Sequence, residues 1–255
     1  MTIKKTAKRR SLILEELDKT GQVSVTELSE TLSVSEVTIR NDLANLEKNN
    51  LLVRAHGGAF KTNNLVLTVN EKKKINLDQK RLIGKMAASL ILEDDSVILD
   101  SGSTNIEISN NLTNFKRLNV ITNALDIVNN LSNCKSVELS MLGGYLKDFS
   151  MSLVGPMAER NLRQMHCNKL FLGIDGINPK MGIFTHYMEE AYLNQIMIEI
   201  SDEVIVVADS SKFKKNGHVL ICGFDKIHKF ITDDQIEKAD KEMLENNNIE
   251  VIIAK

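Results

Sequence analysis

From Asp78 to the end of the chain, apolar runs rich in β-branched residues alternate with amphipathic helical stretches. No other feature restricts the fold as much. The strand-like runs are 97–99, 119–122, 136–142, 169–174, 203–208, 229–232 and 250–254, and helical periodicity fills a stretch from Asp78 through Leu90 and 124–131, 188–200 and 235–246. Strands separated by helices pair in parallel, because a parallel connection needs a dozen residues or more and its helix packs back on the sheet. The expectation is a mainly parallel, Rossmann-like α/β domain over 78–255.

In such a sheet ligands bind beyond the carboxyl ends of the strands. The polar residues that follow the strands are therefore read together: Asp100, Ser101, Gly102, Ser103 and Thr104, then Thr122 and Asn123, Gly143 and Gly144, Asp175, and the Asp209 to Lys212 run. Singly, each has an ordinary explanation as a helix cap, a turn or a surface lysine. Gathered on one rim, they define a candidate site. Stretch 97–105 runs from a strand through a Gly/Ser/Thr turn into a helix, so N–H groups, hydroxyls and the helix dipole converge where an anion would sit. Gly102 admits a phosphate close to the backbone, Lys212 supplies a point charge, and Asp100, Asp175 and Glu190 are acceptors for sugar hydroxyls. A phosphorylated sugar suits this set.

The first 60 residues have a different pattern. A helix over 8–20 carries Ile13 and Leu17 and stops at Gly21; Ser24-Val25-Thr26-Glu27 reads as a capping box with Val23 and Leu28 as its staple; Ser35 caps a third helix with the stripe Ile39, Leu43 and Leu46. Two short helices joined by a tight turn at Ser33-Val34 form a helix-turn-helix. The outer face of the third helix then holds Val37, Asn41, Ala44, Asn45 and Lys48, flanked by Thr38 and Arg40, and near the helix start its polar side chains can reach base edges or phosphates. Residues 52–60 look like two strands around a glycine turn, a wing that places Arg54 and His56 near the DNA backbone. The expected partner is double-stranded DNA, contacted through Ser35, Val37, Thr38, Arg40, Asn41, Lys48, Arg54 and His56. Residues 61–77 read as a linker between the domains, part of which can pair with the second.

Charge and composition narrow the alternatives. The net charge is −2, but the first ten residues hold five basic side chains and no acid, so attraction to a phosphate backbone would be local. An apolar fraction of 42% in 255 residues suffices for one or two cores. No 18-residue apolar segment or signal-type start is present, which points to a soluble, cytoplasmic protein without a membrane partner. Cys134, Cys167 and Cys222 are isolated and the five His lack metal-ligand spacing, so neither disulfide, metal nor cofactor is expected.

Val34-Ser35-x-x-Thr38-Ile39-Arg40-Asn41-Asp42-Leu43, with Leu46-Glu47 and then Arg54-Ala55-His56-Gly57-Gly58-Ala59, resembles the DNA-binding head of the DeoR family of bacterial transcriptional repressors. Asn41 departs from the family's usual second Arg, and Asn49-Asn50 replaces the usual glycine at the helix end. The second region resembles the same family's effector domain, related to ribose-5-phosphate isomerase and glucosamine-6-phosphate deaminase, through Asp100 to Thr104, Thr122-Asn123, Leu142-Gly-Gly144, Ser152-Leu-Val-Gly155, Phe171 to Gly176, Glu190-Ala191 and Asp209 to Phe213. Arg40 to Leu43, Leu99 to Gly102, Thr185-His186 and Glu190 to Asn194 look like the branch controlling N-acetylgalactosamine use.

The resemblance implies a repressor of a carbohydrate operon, released by a sugar phosphate and working as a homodimer or homotetramer on a palindromic site. Two other classes fit the residues. In an isomerase or deaminase, Asp175 or Glu190 would be the general base and Lys212 would stabilise enolate-like charge; a plain sugar-phosphate binder would leave no DNA footprint. A fused DNA-reading head favours a sensor without catalytic residues.

Overall fold

The protein, seen here in a computed structural model that describes residues 2–48, 51–55, 57–61, 67–215 and 217–255, divides into two units, Met1–Val66 and Leu67–Lys255. In the first unit the order is α1 (Thr2–Thr20), β1 (Gln22–Ser24), α2 (Val25–Thr31), α3 (Glu36–Lys48), β2 (Leu52–Ala55) and β3 (Gly58–Lys61). The predicted stripes meet in one core: Ile13 and Leu17 from α1, Val25 and Leu28 from α2, and Ile39, Leu43 and Leu46 from α3, closed by Val23, Leu52 and Ala59. Strands β2 and β3 form the expected hairpin, and β1 joins it to give the order β1-β3-β2.

Three details differ from expectation. Helix α1 starts at Thr2, six residues earlier. Ser24 does precede α2, but its side chain caps nothing: it is held in β1 opposite Gly58, and the Val25 N–H is taken by the Gly57 carbonyl at 2.8 Å. Strand pairing has replaced the capping box. Third, Asp42 is buried on α3 and binds the Nε atoms of both Arg9 and Arg10, with Arg10 Nη1 also donating to Asn45 Oδ1 at 2.6 Å. Two basic residues of the N-terminal run therefore fasten α1 to α3.

The second unit runs α4 (Val69–Lys72), α5 (Leu77–Ser89), β4 (Ser96–Leu99), α6 (Ser103–Ser109), β5 (Leu118–Thr122), α7 (Leu125–Leu131), β6 (Val137–Met141), β7 (Tyr145–Lys147), β8 (Ser152–Val154), α8 (Pro156–Leu162), β9 (Cys167–Leu172), β10 (Gly176–Asn178), β11 (Gly182–Thr185), α9 (Met188–Glu199), β12 (Ser201–Val207), β13 (Val219–Cys222), β14 (Lys229–Asp233), α10 (Lys238–Asn246) and β15 (Glu250–Ala254). Seven of these strands form one sheet in the order β15-β14-β12-β9-β4-β5-β6, with every pairing parallel. Successive residues of each strand feed opposite faces. Val97, Leu99, Val120, Phe171, Ile205 and Val207 pack with α5, α6 and α7, whereas Ile98, Ile121, Leu170, Leu172, Val204 and Val206 pack with α8 and α9. Helices on both faces make this the expected α/β architecture.

Two small antiparallel pieces lay outside the expectation: the hairpin β7-β8 and the sheet β10-β11-β13. Of the expected linker, residues 67–77 are the part that folds into the second unit. Thr68 and Glu71 form a true capping box for α4, Val69 is buried, and its N–H donates to the Phe149 carbonyl at 2.7 Å. The buried Lys80 ammonium binds the Lys72 carbonyl at 2.9 Å and the Ile75 carbonyl, closing the far end of this segment. Residues 62–66 lie outside the described part.

Candidate functional site

Strand β4 enters the sheet first; β5 and β6 add on one side of it, and β9, β12, β14 and β15 on the other. The reversal between β4 and β9 leaves a crevice beyond their carboxyl ends. An open cleft lies there, bordered by Asp100 to Thr104 from the β4–α6 turn and the start of α6, Asp175 after β9, Glu190 on α9 and Lys212 after β12. Eight of the twelve residues expected at a ligand thus come together. Gly102, at φ 138°, supplies the turn that starts α6, and the N–H groups following it have no preceding carbonyl within the helix.

Thr122, Asn123, Gly143 and Gly144 do not border the cleft. The β7-β8 hairpin covers the ends of β5 and β6: Leu153 N–H donates to the Asn123 carbonyl at 2.8 Å, Thr122 Oγ1 accepts from Ala124 N–H at 3.1 Å, and a Cβ on Gly144 would stand 2.4 Å from the Val154 carbonyl oxygen. Gly143 faces Met157 and Asn161 of α8, whereas Asn123 and Gly144 seat the hairpin. Its connecting segment contributes Phe149 and Ser150 to the cleft wall, where the Phe149 ring stacks on Tyr187 with centroids 3.7 Å apart.

The charges converge on Asp175. Its Oδ1 accepts from Lys72 Nζ at 2.6 Å and lies 3.8 Å from Lys212 Nζ, while Thr185 Oγ1 stands 3.2 Å from its Oδ2 and 3.1 Å from Glu190 Oε2. Burial alone would raise the Asp175 pKa, but the two ammonium groups outweigh it and hold this carboxyl below the usual range. Desolvation pulls Lys212 down to about 8 against the attraction of Asp175. Burial, helped by the charge of Glu190, pushes Asp100 up to about 8; burial and Asp175 also raise Glu190. At pH 7 Asp100 is therefore largely protonated. Two lysines facing one firmly ionised carboxylate leave the cleft suited to an anion, with Asp100 and Glu190 as hydrogen-bonding groups beside it.

Lys72, Asn105, Phe149, Thr185, Tyr187 and Asn194 border the cleft without having been expected there. For Lys72 a signal existed: Thr68-Val69-Asn70-Glu71 is the S/T-x-x-E start of a helix, which places the next residue on an ordered turn.

In the first unit, Ser35 Oγ accepts from Thr38 N–H at 3.3 Å and pairs with Thr38 Oγ1, so it serves as the cap of α3. Val37, Arg40 and Asn41 are exposed on the outer face of α3, Val37 at 63%. Arg40 Nη2 binds Glu36 one turn back at 2.6 Å, and Arg54 N–H donates to Glu47 at 3.0 Å. The Lys48 side chain, Asn49, Asn50 and His56 lie outside the described part.

Comparison with known proteins agrees with both units. Residues 9–64 match the DeoR-like helix-turn-helix domain and residues 75–234 the DeoR C-terminal sensor domain. The chain is 39% identical over 252 residues to a candidate aga operon transcriptional repressor of Escherichia coli O157:H7, covering 97% of this chain and 94% of that one. It is 31% identical over 231 residues to the lactose phosphotransferase system repressor of Staphylococcus epidermidis, covering 88% and 91%. A ribose 5-phosphate isomerase A of Methanocaldococcus jannaschii aligns with 54% of this chain and 55% of its own at 17% identity and a TM-score of 0.39. Among the described residues, no helix is long and apolar enough to cross a membrane. The chain belongs to the DeoR family of DNA-binding transcriptional regulators.

Proposed function

We propose that the protein represses a carbohydrate-utilisation operon and leaves its operator when a phosphorylated sugar occupies the cleft. The observation that supports this most is the pair of lysines, Lys72 and Lys212, meeting at Asp175 beside the Gly102 turn. The phosphate would take the lysines and the N–H groups of 102–104; the sugar would lie toward Asp100 and Glu190. Val37, Thr38, Arg40, Asn41, Lys48, Arg54 and His56 would read or clamp operator DNA, with Ser35 capping the reading helix, and a palindromic site would require a homodimer or a tetramer. The relatives that are named repressors support the same sign of response.

On this reading the cleft binds without turnover. Glu190 gives the enzymatic reading its one foothold, since a raised carboxyl with one free oxygen is a competent general base. Thermal-shift titration against pentose, hexose and hexosamine phosphates, with NMR of the same samples, tests both readings. A saturable rise in Tm with the sugar unchanged supports the sensor; ligand at 100 times its Kd adds about 2.7 kcal/mol. Isomerisation or deamination abolished in Glu190→Gln would replace the sensor by an enzyme. No response to any sugar phosphate would defeat both.

A further inference from the structure

Asn105 stands out among the described residues. It is the third residue of α6, it borders the cleft, its exposure is 0%, and neither its Nδ2 nor its Oδ1 has a hydrogen-bond partner in the protein. Buried amides are nearly always paired, since an unpaired one costs about 1–3 kcal/mol. An aliphatic side chain of the same size would suit a merely structural position better. The neighbourhood shares the feature: Glu190 Oε1, on the same cleft, is also buried and unpartnered.

Gly173 faces this position. A Cβ there would lie 3.5 Å from Asn105 Nδ2, 3.6 Å from Asp100 Oδ2 and 3.0 Å from the Ser101 carbonyl oxygen, so any side chain at 173 would stand over the Asn105 amide. Asp100, which takes the Gly173 N–H at 3.3 Å, borders the same space.

We infer that Asn105 determines specificity in this cleft: its amide gives one hydrogen bond to, and takes one from, the hydroxylated part of the ligand. The inference rests on the sugar-phosphate reading and adds which residue tells a sugar phosphate from a bare phosphate. A fixed donor and acceptor, buried side by side, match a carbon bearing a hydroxyl or adjacent oxygen substituents. The lysines hold the anion and are indifferent to what it is attached to. A polar site left unpaired discriminates strongly against a ligand lacking the matching group.

Asn105→Leu separates this role from a structural one, because it removes both polar atoms while keeping the number and branching of the heavy atoms, and Asn105→Ala controls for the extra bulk of its methyl groups. Urea denaturation of the ligand-free full chain should show Asn105→Leu at least as stable as wild type. Calorimetric titration with ribose 5-phosphate, glucose 6-phosphate, fructose 6-phosphate and galactosamine 6-phosphate should show the best wild-type ligand weakened about tenfold or more. Affinity for inorganic phosphate should not move. Asn105→Ala, which leaves space rather than bulk, should give the same split.

Wild-type affinity for the sugar phosphate in both variants would overturn the inference while leaving the sugar-phosphate reading intact. Equal losses for sugar phosphate and inorganic phosphate, together with a destabilised ligand-free chain, would overturn it in favour of a structural asparagine. A wild type that answers to inorganic phosphate but to none of the four sugars would remove the reading itself, and this inference with it.

Discussion

Asp100 and Lys212 both titrate near pH 8, with opposite consequences. The Asp100 carboxyl is raised by folding, so its contribution to stability is complete below its unfolded pKa and is lost as pH rises toward the folded value. Between its unfolded value and about pH 8 the folded state holds more protons on this group than the unfolded state does, so stability falls as pH rises through that window. Asp100→Asn should flatten that slope in urea denaturation series at pH 6, 7 and 7.5; an unchanged slope would contradict the buried, protonated carboxyl. Lys212, lowered by burial, acts on folding in the opposite sense above its folded pKa, and its charge also acts on binding. An anion favours its protonated form, so phosphate affinity should fall as pH passes 8, above the range in which the phosphate itself titrates, and Lys212→Ala should bind weakly at every pH in calorimetric titrations. At this scale the strand-end rule found Asp100 to Thr104, Asp175 and Lys212, because each follows a central strand of a parallel sheet. It also drew in Thr122, Asn123, Gly143 and Gly144, since nothing in their types tells a ligand contact from a turn or a packing contact such as the seat of the β7-β8 hairpin. Asn105 was illegible: a polar residue inside a helical run reads as surface, and only its 0% exposure shows otherwise.

The segment carrying α4 changes meaning between sequence and structure. Its Lys-rich run, Lys72-Lys73-Lys74, reads as linker, yet Lys72 reaches the cleft, the Val69 N–H is tied to Phe149, and Asn76 Nδ2 donates to Asp209 Oδ1 at 2.9 Å. Lys72 also falls between the matched domains, at residues 9–64 and 75–234. A ligand that engages Lys72 would therefore act on the stretch of chain leading back to the DNA-reading unit. Lys72→Met should weaken sugar-phosphate binding about tenfold, as expected for one lost charge-assisted hydrogen bond. It should also blunt ligand-driven release of DNA even at saturating ligand; full release at saturation would show that Lys72 binds without transmitting. In the first unit the helices were legible because each carries a clean apolar stripe. The anchoring of α1 was not, because Arg9 and Arg10 look like a basic arm until Asp42 is seen buried beneath them. Asp42→Asn should destabilise that unit by about 2 kcal/mol, less than for a fully buried pair because both guanidiniums are partly exposed. Hydrogen exchange should then quicken in α1 and α3 and stay unchanged in the parallel sheet.

At the scale of the molecule, the alternation of strands and helices announced the parallel sheet, since buried strands read as continuous apolar runs and their connections have room for helices. The sheet β10-β11-β13 gave no such signal. Its strands are three or four residues long, and β13 joins the short β10-β11 hairpin from beyond α9 and β12. Two units with separate cores each carry one half of the proposed function: α3 and the β2-β3 hairpin for DNA, the β4–β9 crevice for the sugar phosphate. Regulation requires that ligand favour a state that binds DNA less well, so the two affinities must be linked. Fluorescence anisotropy on a duplex selected by the protein from random-sequence DNA, titrated in the presence and absence of the sugar phosphate that most raises its Tm, measures that link directly. The predicted result is a DNA affinity lowered at least fivefold by ligand in the wild type. Arg40→Ala should fail to bind DNA while keeping its ligand-induced Tm shift, and Lys212→Ala should bind DNA without responding. A wild-type DNA affinity that stays the same at saturating sugar phosphate would contradict the proposal that this cleft controls the operator.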